Sequence, residues 1–172
     1  MICIPFNGIT PRVDPEAFVA ENAVLIGDVT VGAGSSIWYG AVLRGDSAPI
    51  AVGKNTSVQD NATLHCDPGH PLTVGDNITI GHNAVVHCTS VGDNTLIGMG
   101  AILLDRAEIG SECIIAAGAV VKERAVIPDG TMMAGIPAKA IKELPPETVE
   151  NLRQPAHYIE LAREYLDQGL GK

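Results

Sequence analysis

Three histidines, His65, His82 and His87, lie in phase with a six-residue repeat of aliphatic side chains. Imidazole is the commonest protein ligand for transition metals, and three neutral imidazoles leave the fourth position of a tetrahedral Zn²⁺ open to water. A water held there has its pKa lowered to about 7, so these residues, if brought together, would generate a hydroxide nucleophile at neutral pH. Whether they meet depends on the elements between them.

The repeat starts at Val19 and recurs at Leu25, Val31, Ile37 and Leu43, then at Val52, Val58 and Leu64, and again at Val74, Ile80 and Val86. It resumes at Val91 and runs through Ile97, Leu103, Ile109, Ile115, Val121, Ile127 and Met133. An amphipathic helix repeats every three or four residues and a strand every two, so a period of six describes a short strand plus a corner. Gly and Asn recur just after the repeat residue, as in Val52-Gly53-Lys54-Asn55 and Val74-Gly75-Asp76-Asn77, and both tolerate the positive φ of tight corners. Three such edges close one triangular coil, and coils stack at ~4.8 Å with the aliphatic residues filling the prism. The fold class is therefore all-β, a hexapeptide parallel β-helix.

Extra residues enter the count between Leu43 and Val52 (Gly45 to Pro49) and between Leu64 and Val74 (Cys66 to Pro71), while the step from Val86 to Val91 is one residue short. Loops on a solenoid cluster where function is, and the histidines flank these irregularities. Three hexads return the chain to the same face, which stacks Arg44, His65 and His87 in one column. On the preceding face Gln59 stacks over Gly81 and Asp60 over His82. His82 thus belongs to a different face from the other two, and a three-fold packing of prisms would set it against the His65 and His87 of a neighbour. The columns imply a homotrimer with metal sites at its interfaces.

The runs Arg44-Gly45-Asp46, Val58-Gln59-Asp60, Leu64-His65, Ile80-Gly81-His82 and Val86-His87 resemble the γ-class carbonic anhydrase family, over a stretch from about Val19 to Pro137. The resemblance implies a left-handed β-helix and reversible hydration of carbon dioxide to bicarbonate. It implies that His65 and His87 ligate the metal from one subunit and His82 from the next. It further implies that Gln59 orients the metal-bound water or hydroxide, that Arg44, Asp46 and Asp60 form an interface ion-pair network, and that Tyr158 matches a tyrosine near the active site. Zn²⁺ is the expected ion, although Fe²⁺ or Co²⁺ would accept the same imidazoles. The most active members carry an acidic loop that shuttles protons, where this chain has Ser47-Ala48-Pro49; it also has Ser57 where the family often has Asn. Proton return to solvent is expected to be slow, and His70, on the inserted loop, is a candidate relay.

Two other uses of the fold stay open. Hexapeptide prisms also serve acyl-CoA thioesterases and acyltransferases, and a metal can lock a trimer that acts only as a scaffold. The sequence contains no decisive pantetheine groove, since His157 and Tyr158 lie on the C-terminal tail.

The chain changes character at Pro137, dividing a prism with its N-terminal cap (1–137) from a linker and C-terminal helix (138–172) within one domain. From Glu147 to Leu166, Val149, Leu152, Ala156, Ile159 and Ala162 follow helical spacing, which predicts one amphipathic helix, or two broken at Pro155, packed back on the prism. Trp38 and Tyr39, at a corner after Ile37, are candidates for the subunit interface.

The composition, 46% hydrophobic but 3% aromatic over 172 residues, suits a prism too narrow for large rings. A net charge of −9 argues against nucleic acid and anionic membranes as partners. The N-terminus lacks the basic start and long apolar run of a signal peptide, so a cytoplasmic location is expected. Cys3, Cys66, Cys88 and Cys113 show no zinc-ribbon or disulfide spacing. Cys66 and Cys88 nevertheless stack in one column, within the reach of a disulfide.

Overall fold

The structure is a computed structural model and describes residues 1–152 and 156–171. Each hexad is a two-residue strand followed by a corner, and the strands pair in parallel with those one coil away, which makes the parallel β-helix expected from the repeat, of the left-handed kind that the resemblance implies. All the repeat residues from Val19 to Met133 are buried, stacked along the prism axis.

One face carries Thr63–His65, Val85–Val86, Ile102–Leu103 and Val120–Val121, and the next carries Leu72–Val74, Ser90–Val91, Glu108–Ile109 and Val126–Ile127. The strand Val42–Val52 crosses the corner between them and pairs with both, joining two faces into one sheet. Gly45 to Pro49, read from sequence as a loop, therefore lie inside an eleven-residue strand. The extra length is absorbed as a register shift against Gly27 and Val29. The third face is a separate sheet running through Ser36–Ile37, Ser57–Val58, Thr79–Ile80, Leu96–Ile97 and Ile114–Ile115.

At the corners Asn and Gly divide two tasks. Asn55, Asn77 and Asn94 take left-handed φ values of 54°, 57° and 56°, and their amides donate from one coil to the next at 3.3 and 3.2 Å. Gly53 is needed for close approach instead, because an added Cβ would stand 2.6 Å from the Gly75 carbonyl oxygen.

After the prism, Lys139–Glu143 folds back antiparallel on Thr131–Ala134, so the expected linker begins as a strand. Two helices follow, α1 (Pro146–Leu152) and α2 (Ala156–Asp167). Pro155, where the sequence suggests a break, lies outside the described residues, as do the side chains of Val149 and Ala156. Helix α2 turns Tyr158, Leu161, Ala162, Tyr165 and Leu166 toward the prism and ends at Gly169, whose φ of 74° suits a left-handed cap.

That packing corrects one expectation from sequence. Trp38 is buried within its own chain: its indole N–H is shared between the Ser36 and Ser57 hydroxyls at 2.9 and 3.0 Å, and its ring meets Phe18 at 4.9 Å and Tyr165 at 5.3 Å between centroids. The C-terminal helix covers the ring that the corner position had suggested for a subunit interface.

Candidate metal centre

Register places the histidines. Leu43 pairs with Leu64 and Arg44 with His65, and Leu64 pairs with Val86; since side chains one coil apart in parallel register project alike, the imidazoles of His65 and His87 meet. Nδ1 of His65 stands 3.0 Å from Nε2 of His87, with ring centroids 5.0 Å apart. With the ring protons on the outer nitrogens, the two inner nitrogens would present lone pairs to each other at that distance, an arrangement that a cation seated between them satisfies. Two nitrogens bonded to tetrahedral Zn²⁺ at ~2.0–2.1 Å are ~3.3 Å apart, so an opening of a few tenths of an ångström fits an ion.

The outward nitrogens of both rings face carboxylates. His65 Nε2 lies 3.1 Å from Asp46 Oδ1, with the Ser47 hydroxyl at 3.4 Å, and His87 Nδ1 lies 2.6 Å from Asp105 Oδ1. Carboxylates on the far nitrogen of a ligand histidine fix its tautomer and raise its basicity. Asp46 also accepts from the Arg44 guanidinium at 2.6 Å. Burial pushes its carboxyl up, but the hydrogen bonds from Arg44 and His65, with the Arg44 charge and Ser47, outweigh this and hold it at about 2.

His82 is not part of that pair. It follows Thr79–Ile80 on the separate sheet, where Ile80 pairs with Val58, and its partners are those the column count implies. Its backbone N–H donates to Gln59 Oε1 at 3.1 Å, and its Nδ1 lies 2.9 Å from Asp60 Oδ2, leaving Nε2 as its outward atom. Its side chain is 41% exposed against 16% for His65. Asp60 thus joins His82, whereas Arg44 and Asp46 join His65; within one chain the three acid–base residues of the expected network sit on two faces. Beside His82 runs a groove of about 490 Å³ lined by Leu96, Met99, Ala116 and Tyr158 as well as Gln59. Tyr158, on α2, therefore lines the groove beside His82. His70 stands in the Asp67–His70 turn, closed by its own N–H to the Asp67 carbonyl.

Sequence reading missed Asp105 and Asp67, whose carboxylates, with a His87 nitrogen, lie within 4.8 Å of one another. The column count passes Asp105 by, because Val86 pairs with Leu103, the position stacked on His87 is therefore Leu104, and Asp105 follows one residue later, in line with Cys88. Cys66 and Cys88 are both buried, free thiols.

Residues 88–123 match the family model described as bacterial transferase hexapeptide (six repeats). Over 165 residues the chain is 40% identical to a Geobacillus kaustophilus protein named carbonic anhydrase, covering 96% of this chain and 87% of that one. It is 46% identical to the mitochondrial gamma carbonic anhydrase 1 of Arabidopsis thaliana over 90% of its own length, spanning 59% of the plant protein. Among solved structures, a Bacillus cereus protein titled putative acetyltransferase superposes with a TM-score of 0.92 at 40% identity, covering 95% of this chain and 96% of that one.

Proposed function

The chain belongs to the γ-class carbonic anhydrase family, and on that premise we propose that it hydrates carbon dioxide reversibly to bicarbonate at metal sites shared between copies. The observation that carries this reading is the 3.0 Å approach of His65 Nδ1 to His87 Nε2 with a carboxylate behind each ring. Two imidazoles do not complete a site. His82, held by Asp60 on another face beside an apolar groove, is the third imidazole for a neighbouring copy, and three copies close the ring.

When bound, a divalent ion such as Zn²⁺ would supply the Lewis acidity that brings a water ligand's pKa to about 7. The chain's own residues do the rest. Gln59 is 4% exposed and its Oε1 is committed to the His82 N–H, so its NH₂ group is the donor left to orient an oxygen beside the groove. Leu96, Met99 and Tyr158 give the groove an apolar wall suited to an uncharged substrate. Arg44 and Asp46 brace the back of His65 and, with Asp60 of the adjoining copy, set the register between subunits.

The test is stopped-flow hydration of carbon dioxide with ion content quantified, beside His82→Ala prepared identically. Ion-dependent turnover that vanishes with His82 is expected; a fully loaded, inactive wild type would sink the reading. A second reading, cleavage or transfer of an acyl-CoA ester, is favoured by the acetyltransferase title of the Bacillus cereus relative together with the apolar groove beside His82. Release of free thiol from short-chain acyl-CoA esters by the same preparation would support it.

A further inference from the structure

We infer that Asp105 is a positioning residue for His87, determining which ring nitrogen that histidine offers to an ion. The inference rests on the metal-site reading above and deepens it. Asp105 lies outside the Arg44 to His87 stretch, in the turn after Ile102–Leu103. In register it stacks over Cys88, not over His87, so its carboxylate reaches His87 diagonally, across both a column and a coil. The reach ends at Nδ1, 2.6 Å away, the short distance of a charge-assisted hydrogen bond.

The base of the lever is held as well, because the Asp105 carbonyl accepts the Arg124 N–H of the following coil at 2.8 Å. A neutral imidazole has one N–H. With that proton committed to Asp105 on Nδ1, the lone pair is left on Nε2, the atom that faces His65 Nδ1 at 3.0 Å. Without Asp105 the ring would be free to place its proton on Nε2, where it blocks the ligand position, or to turn about χ2. Asp46 braces His65 through Nε2 and Asp60 braces His82 through Nδ1, so Asp105 completes a set in which every histidine is held from behind. Asp67, the other carboxylate close to His87, sits in the turn after His65 and offers the alternative that these acids bind a cation themselves.

Co²⁺ binding, read from its visible spectrum in competition with a chelator, separates these cases for the wild type, Asp105→Ala and Asp105→Asn. Asp105→Ala should bind Co²⁺ about 10–100-fold more weakly. Asp105→Asn, which keeps an acceptor oxygen, should recover most of that loss, and the ion-free Tm should be the same in all three proteins. ¹⁵N NMR of the ion-free proteins should place the His87 proton on Nδ1 in the wild type and Asp105→Asn but not in Asp105→Ala. Unchanged Co²⁺ affinity in Asp105→Ala, an ion-free Tm that falls with the affinity, or two Co²⁺ per chain would each overturn the inference. A wild type that takes up no Co²⁺ yet shows the Asp105-dependent His87 tautomer would sink the metal reading while supporting the positioning role.

Discussion

His65 and His87 are 22 residues apart in the chain but face each other directly, Nδ1 to Nε2 at 3.0 Å, because one coil of the prism separates them. His82 is nearer to His87 in sequence and belongs to another sheet. Two of the three candidate ligands are thus brought together within one chain, and the third points away from them.

Complementation between two inactive variants follows from that split. His82→Ala and His87→Ala should each abolish hydration, yet subunits mixed by unfolding and refolding should regain activity. In randomly assorted trimers an interface has both intact halves about one time in four, so the mixture should approach about a quarter of wild-type turnover. No recovery in verified mixed trimers would mean that the three histidines do not share a site across copies.

Removing the ion should stop hydration without unfolding the prism, whose core is the aliphatic column from Val19 to Met133 and contains no histidine. Treatment with a strong chelator should leave the far-ultraviolet circular dichroism unchanged while activity falls to background and returns with added Zn²⁺ or Co²⁺. Loss of the β signal on chelation would show that the ion is part of the fold.

Gly45, between Arg44 and Asp46, is a sensitive position for a steric reason. A Cβ there would run into the Asp28 backbone of the preceding coil. Gly45→Ala should cost about 1–3 kcal/mol in denaturant unfolding, as overpacking does, and should displace Asp46 from His65. An unchanged midpoint would mean that the two coils can separate at no cost.

The core column sets a comparison. Leu103→Ala removes a fully buried side chain between Val86 and Val121 and should destabilise the protein by about 2–5 kcal/mol. A loss below 1 kcal/mol would show that neighbouring coils collapse into the space.

The thiols give the pH dependence. Burial pushes Cys88 up to about 12 and also raises Cys66 and Cys113 above the ordinary 9.0. A thiol whose folded pKa lies above its unfolded value contributes stability that is complete below the unfolded pKa and lost as pH rises toward the folded one. Unfolding midpoints should therefore fall above about pH 9, and at pH 8 iodoacetamide should label Cys3, the one thiol that is not buried, and no other in the native protein. Fast native labelling of Cys113 would contradict its burial.

What the sequence by itself determined is the prism and its columns. A period of six leaves only strand-plus-corner geometry, and counting hexads was enough to stack Arg44 on His65 and His65 on His87, and to put His82 beside Asp60 and Gln59 on another face. Such counting works because each coil adds the same rise and rotation, so local spacing sets three-dimensional neighbours. Tertiary structure alone decided what the count does not contain: that Gly45 to Pro49 continue a strand, that Lys139–Glu143 turn back on the prism, that α2 covers Trp38, and that Asp105 crosses from the Cys88 column to hold His87. Each of these depends on packing against a particular surface or on the reach of one side chain between columns, and a repeat specifies where columns run without specifying what crosses them.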